Sequence, residues 1–249
     1  MVTVHKYTAE ESLAHNLGQF ILESQDKALK NHQKFNLAIS GGSLNNVLHK
    51  AFIEDKVLAS KVDWNSWAIY FVDERLVPLD DPDSNFGAFK KAVLDHLPAN
   101  KAPKVYPIDE ELVKKGVDSF AQVTMDYEKI IPKNFDLVLL GCGPDGHTCS
   151  LFPGPTHNYL LDEKHRRVMW CRDSPKPPSD RITVTLPVLG DAESICFVAE
   201  GASKQPIMHE IFDLKNTKLP SALVNHLYDA KVHWFVNDEA FTKVETTSF

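Results

Sequence analysis

A chain of 249 residues with 43% hydrophobic and 24% charged side chains has the make-up of an ordinary globular protein of enzyme size. Folding at this length buries about 73% of the unfolded surface, so the fold needs no staples. The formal net charge of -7 argues against a nucleic-acid or membrane-surface partner, but not against a small anion, which a few local cations can hold.

In chain order, Thr8-Ala9-Glu10-Glu11 has capping-box spacing ahead of Leu13, Leu17, Phe20 and Ile21, which recur at helical intervals. The apolar run 35–40 ends in Gly41-Gly42, which predicts a strand and a tight turn, and NVLHKAF returns to a helical pattern. WAIYFV at 67–72 reads as a second strand; SNFGAFKKAVLDHL and VDSFAQVTMDYEKII read as helices. FDLVLL at 135–140, RITVTLPVL at 181–189, SICFVAEG at 194–201 and VHWFVN at 232–237 read as further strands, with a helix opening at KQPIMHEIF. The Pro-rich stretch SPKPPSD at 174–180 reads as a surface loop.

Strands alternating with amphipathic helices predict βαβ units and an α/β fold with a mostly parallel sheet. Apolar runs without alternation predict a sheet with helices on both faces. No repeat or linker divides residues 1–249, so a single domain is expected. Cys142, Cys149, Cys171 and Cys196 form no C-x-x-C pair, which fits free thiols in a reducing compartment. The stretch MVTVHKYTAEES lacks the apolar core of a signal peptide and no apolar run reaches spanning length. A cytoplasmic location without a membrane partner is expected.

Ligands of such sheets bind beyond the carboxyl ends of the strands, and the chemically pointed residues follow strands here. Ser40-Gly41-Gly42-Ser43 offers backbone N–H groups to an anion at a helix start. Asp73-Glu74-Arg75 follows the second strand, and Gly201-Ala202-Ser203-Lys204 follows SICFVAE. Lys204 supplies a point charge, and Arg181 can grip a phosphate bidentately. Asp73 can accept hydrogen bonds or act as a base on a sugar carbon; the residues alone leave both open.

GCGPDGHTCSLFPG at 141–154 fits G-x-G-x-x-G behind a strand. A dinucleotide turn needs a long following helix, whereas Pro153 arrives soon after His147, and Asp145 would repel phosphates. A loop presenting His147 as a general base, with Asp145 either orienting it or capping the following turn, fits better. Cys142, His147 and Cys149 match no common zinc spacing, so neither metal nor cofactor is expected.

The segments SGGS, VDERLVP, GPDGHTCSLFPG, RITVTLPVL, GASK and LPSALV, in this order, resemble the 6-phosphogluconolactonases of the glucosamine-6-phosphate isomerase superfamily. The resemblance runs from about Tyr7 to Phe235. It favours the lactonase branch, because the deaminase branch usually reads M-D-E-Y where this chain has Val72-Asp73-Glu74-Arg75, and D-G-H-I-A-F-N-E-P where it has DGHTCSLFP. The chain departs from the pattern at Cys149, usually Ala; at Leu44-Asn45-Asn46, where a cation is usual; and at Gln205-Pro206.

The resemblance implies a Rossmann-like α/β fold of the glucosamine-6-phosphate isomerase type and metal-free hydrolysis of 6-phospho-D-glucono-1,5-lactone. His147 is then expected as base, with backbone amides around 143–146 and Arg75 on the oxyanion. Asp73 is expected to hold Arg75 or a sugar hydroxyl. The phosphate is expected on Ser40–Ser43, Arg181 and Lys204. The expected partner is the phosphosugar lactone, bound by a monomer or weak homo-oligomer. The alternatives are a glucosamine-6-phosphate isomerase or deaminase with Asp73 as base, and a non-catalytic phosphosugar-binding protein.

Overall fold

The computed structural model describes the backbone of residues 1–249 and all side chains except that of Glu10. Seven parallel strands form the central sheet: β1 (Thr3–Tyr7), β2 (Phe35–Ile39), β3 (Trp67–Phe71), β5 (Lys104–Tyr106), β6 (Leu137–Gly141), β9 (Ile195–Ala199) and β10 (Val232–Asn237). Their spatial order is β1-β10-β9-β6-β2-β3-β5.

β6 shows why its run is apolar throughout. Leu137 and Leu139 pack into one core cluster with the helices Glu10–Asn31 and Asn85–Ala92, while Val138 and Leu140 pack into the cluster on the other face. Successive strand residues point to opposite faces, and helices cover both. The helices Phe120–Ile130, Gln205–Phe212 and Pro220–Tyr228 cover the second face.

β3 and β5 lie on one side of β2, and β6, β9, β10 and β1 lie on the other. Connections therefore diverge between β2 and β6, which opens a crevice at their carboxyl ends. A second sheet roofs this crevice: β4 (Asp73–Arg75), β8 (Arg181–Val184) and β7 (Val168–Cys171), antiparallel in the order β4-β8-β7. The chain changes sheets at Val72. Its N–H still donates to Ile39 O of β2 at 3.0 Å, while its carbonyl accepts from Val184 N at 2.8 Å.

Two sequence expectations are corrected. The stretch 181–189 is not one strand of the parallel sheet: only 181–184 is extended, in the small sheet, and a helix starts at Leu186 with Pro187 in its first turn, where a missing N–H costs nothing. The first helix starts at Glu10 with Ala9 as its N-cap and no side-chain cap, so the capping box from Thr8 does not form.

Candidate active site

The crevice is a cleft of about 180 Å³. Ser40–Ser43 enter it from the end of β2, Gly141–Gly143 from the end of β6, Asp73 and Arg75 from β4, Arg181 from β8, and Lys204 from the turn after β9. Gly41 is required by close approach: a Cβ there would lie 1.9 Å from Asn85 Oδ1. Asn85 is fixed in turn by donating from Nδ2 to Asp73 O at 2.9 Å.

The buried Glu74 secures this corner. Its carboxylate accepts from the backbone N–H groups of Arg75, Asn85 and Phe86 at 2.7–2.8 Å and from Ser84 Oγ at 3.1 Å. It thereby satisfies orphan donors at the start of the helix Asn85–Ala92. Burial pushes its carboxyl up to about 7, against the pull of those backbone donors, and the neighbouring Asp73 adds to the rise.

The loop after β6 folds back on itself. Gly143 N–H donates to His147 O at 2.9 Å, and Gly146 N–H donates to Gly143 O at 3.0 Å. Of the amides expected around the oxyanion from 143–146, these two are engaged within the loop. The same closure explains the glycine at 143, where a Cβ would lie 2.0 Å from His147 Nδ1. His147 packs on Phe152, ring centroids 4.8 Å apart, and makes a short hydrogen bond through Nδ1 to Asp145 Oδ1.

Burial would raise the Asp145 carboxyl. The His147 hydrogen bond and the charges of His147 and Lys176 outweigh it and hold the group well below the usual carboxylate range. An ionised carboxylate only accepts, so Nδ1–H is the donor of this bond and Nε2 is the ring nitrogen left for proton exchange.

The opposite wall carries the positive charge. Arg75 and Arg181 are Cα partners in the antiparallel β4–β8 ladder, so their side chains leave the same face. Like charges directly opposite are destabilising. Arg75 donates from Nη1 to Asp83 O at 2.8 Å, whereas its Nε is buried without a hydrogen-bond partner. Arg181 is 3% exposed and is tethered to carbonyls of the Pro-rich loop, from Nε to Pro178 O at 3.0 Å and from Nη2 to Lys176 O at 2.9 Å. Burial, and then the charge of Arg75, push its guanidinium down. Lys204 joins them, its Nζ donating to Cys142 O at 2.6 Å.

Asp73 does not hold Arg75. It accepts from Ser150 Oγ at 2.9 Å and, at the outer limit of 3.5 Å, from Ser40 Oγ. Of the residues singled out from the sequence, Ser40, Gly41, Gly42, Ser43, Asp73, Arg75, His147, Arg181 and Lys204 line this one cleft, and Asp145 reaches it through His147. Asn85, Cys149 and Val198 also line it, and Lys176 reaches the histidine from the Pro-rich loop; sequence reasoning assigned none of these four a role. The only signal for Lys176 was a cation inside a stiff Pro-rich segment. Among the described residues no group of three or more His, Cys, Asp or Glu side chains is placed to hold a metal.

A family model described as glucosamine-6-phosphate isomerases/6-phosphogluconolactonase matches residues 8–234. 6-phosphogluconolactonase 3 of Saccharomyces cerevisiae is 59% identical over 249 residues, covering 100% of both chains. 6-phosphogluconolactonase 4 of the same organism is 48% identical over 247 residues, covering 96% of this chain and 97% of the other. Among solved structures, a 6-phosphogluconolactonase from Thermotoga maritima matches with a TM-score of 0.75 at 26% identity, covering 95% of this chain and 100% of that one.

Proposed function

The chain belongs to the family of glucosamine-6-phosphate isomerases and 6-phosphogluconolactonases, and from this premise we infer that it hydrolyses 6-phospho-D-glucono-1,5-lactone to 6-phospho-D-gluconate in the oxidative pentose phosphate pathway. The observation that carries the assignment of roles is one cleft with two unlike ends: a His–Asp dyad with a free Nε2, and two arginines set directly opposite each other. A substrate with a neutral ester set between His147 and Arg75, and a dianionic phosphate that reaches Arg181, complements both.

In this reading the phosphate sits on the Ser40–Ser43 turn with Arg181 and Lys204. Anchoring it fixes the ring, so that attack on the lactone carbonyl becomes effectively unimolecular. His147 Nε2 takes a proton from water, whose oxygen bonds to C1. The carbonyl electrons move onto oxygen, which the Arg75 guanidinium stabilises. As the carbonyl re-forms, the C1–ring-oxygen bond breaks and Nε2–H protonates the departing oxygen. Asp145 fixes the tautomer throughout. Asp73, held by the Ser150 and Ser40 hydroxyls, supports the cleft floor and is poorly placed to serve as the base of an isomerase.

The net charge of -7 and four buried free cysteines support a cytoplasmic protein acting on this small molecule without nucleic acid; we propose that it acts as a monomer or weak homo-oligomer.

The test is real-time acid release from freshly made lactone against a no-enzyme control, because the ester also opens spontaneously. A rate well above background, lost in His147→Ala, is expected. A background rate with folded protein overturns the enzyme reading and leaves phosphosugar binding; ammonia release from glucosamine 6-phosphate would instead favour the isomerase reading.

A further inference from the structure

Lys176 has no role in the steps above, yet its ammonium reaches the dyad. Its Nζ lies 3.2 Å from His147 Nδ1 and donates to Asp145 Oδ1 at 3.4 Å, the same oxygen that accepts from His147. The backbone at this point is pinned separately. Ser174 Oγ donates to Lys176 O at 2.8 Å and accepts from Lys176 N at 3.2 Å, and Lys176 O also accepts from Arg181. The side chain is thus not needed to shape the loop.

We propose that Lys176 is a positioning residue for the lactonase reaction, whose charge keeps His147 a free base before attack and a ready acid after it. The inference rests on the hydrolase reading given above. A histidine beside an ionised carboxylate is drawn toward the imidazolium form. A base already protonated cannot take a proton from water, and an imidazolium held too firmly does not return one to the ring oxygen. The Lys176 ammonium faces the same edge of the ring and shares the carboxylate oxygen, so it cancels much of that bias.

The other groups around the ring do not replace it. The Cys142 thiol is neutral, since burial pushes it up to about 11. Asp73 is held by its two hydroxyls on the cleft floor. Arg75, Arg181 and Lys204 face the substrate's phosphate and oxyanion, which neutralise their charge once bound. Among the described residues, Lys176 is the cation in contact with the dyad itself, away from the phosphate.

The experiment compares kcat/KM against pH for wild type, Lys176→Met and Lys176→Arg, with spontaneous hydrolysis subtracted. The substrate's phosphate titrates equally in all three, so difference curves isolate the enzyme. Lys176 is 39% exposed, so solvent screens it and the expected effect lies at the low end of the range for a nearby charge. The acid limb of Lys176→Met should move up by about one pH unit. The rate below both limbs then falls about tenfold and recovers above them, and Lys176→Arg restores the wild-type limb. A limb that stays in place, a loss equal at every pH, or an arginine variant that behaves like methionine overturns the proposal. The hydrolase reading fails separately, if wild type itself does not exceed background.

Discussion

The two ends of the cleft are each built on a close pair of charged groups, and the pairs differ in kind. Asp145 and His147 have opposite polarity, lie two residues apart on one closed loop, and satisfy each other in the free protein. Arg75 and Arg181 have the same charge, come from strands more than a hundred residues apart, and face each other across a ladder with one buried donor unpartnered. The first pair is complete without a ligand, whereas the second leaves a buried donor unpartnered. In the reading proposed above, catalytic geometry is set locally by the chain, and a bound phosphosugar relieves the repulsion of the arginine pair.

Breaking the complete pair should cost most. His147→Ala is expected to lower kcat about 10²–10⁴-fold with little change in KM, read by single-substrate kinetics with background subtraction. Asp145→Asn leaves the shape but permits the wrong tautomer, and a loss approaching about 10⁴-fold is expected. If Asp145→Asn retains most of the rate, the dyad is not the working unit and the comparison fails at this end.

Dividing the like-charged pair should sharpen the contrast. Arg75→Met is expected to lower kcat about 10²–10³-fold, as for loss of one oxyanion donor. Arg181→Met is expected to act on binding, at about 10–100-fold in kcat/KM, the size of a charge-assisted hydrogen bond. Inorganic phosphate gives an independent readout. At a hundredfold excess over its Kd it contributes about 2.7 kcal/mol, raising the Tm of a chain this long by about 5 °C or more. Arg181→Met should lose that rise while His147→Ala keeps it. Equal phosphate responses in both variants would show that the arginines are not the anion site.

The same contrast explains what the sequence could tell. The dyad was legible because its members are close in sequence and follow an apolar run that could only be a buried strand. The strands β2, β3, β6, β9 and β10 were legible for the same reason. β1 and β5 lie at the sheet edges, and their part-exposed residues break the apolar signal. β4 is three charged residues, Asp73-Glu74-Arg75, which no propensity marks as extended; they become a strand only because β8 supplies a partner. The register that sets Arg75 against Arg181 is therefore a tertiary fact, although both residues could be named in advance. Asn85 and Lys176 escaped because each acts from a segment, a helix start and a Pro-rich loop, whose position depends on what it packs against. The glycines at 141–146 serve the loop itself, since two of its amides close it on itself.

The smallest effect on rate is expected at the support beneath the arginine end. Glu74 sits between Asp73 and Arg75 and holds the helix that carries Asn85. Its carboxyl is raised from an ordinary value of 4.5 to about 7, so the folded protein binds that proton more tightly than the unfolded chain. Its stabilising contribution is present in full below about pH 4.5 and is lost as the pH rises through about 7, amounting to about 3 kcal/mol. Glu74→Gln has no proton to exchange. Urea denaturation at a series of pH values should therefore show wild type losing stability relative to the variant between pH 5 and 7, while kcat/KM at neutral pH stays within about threefold, as for a support that never meets substrate. A difference curve that is flat across this range would mean the carboxyl ionises as freely in the fold as in water. The corner would then be held by hydrogen bonds alone, and the arginine end would owe none of its placement to a tuned charge.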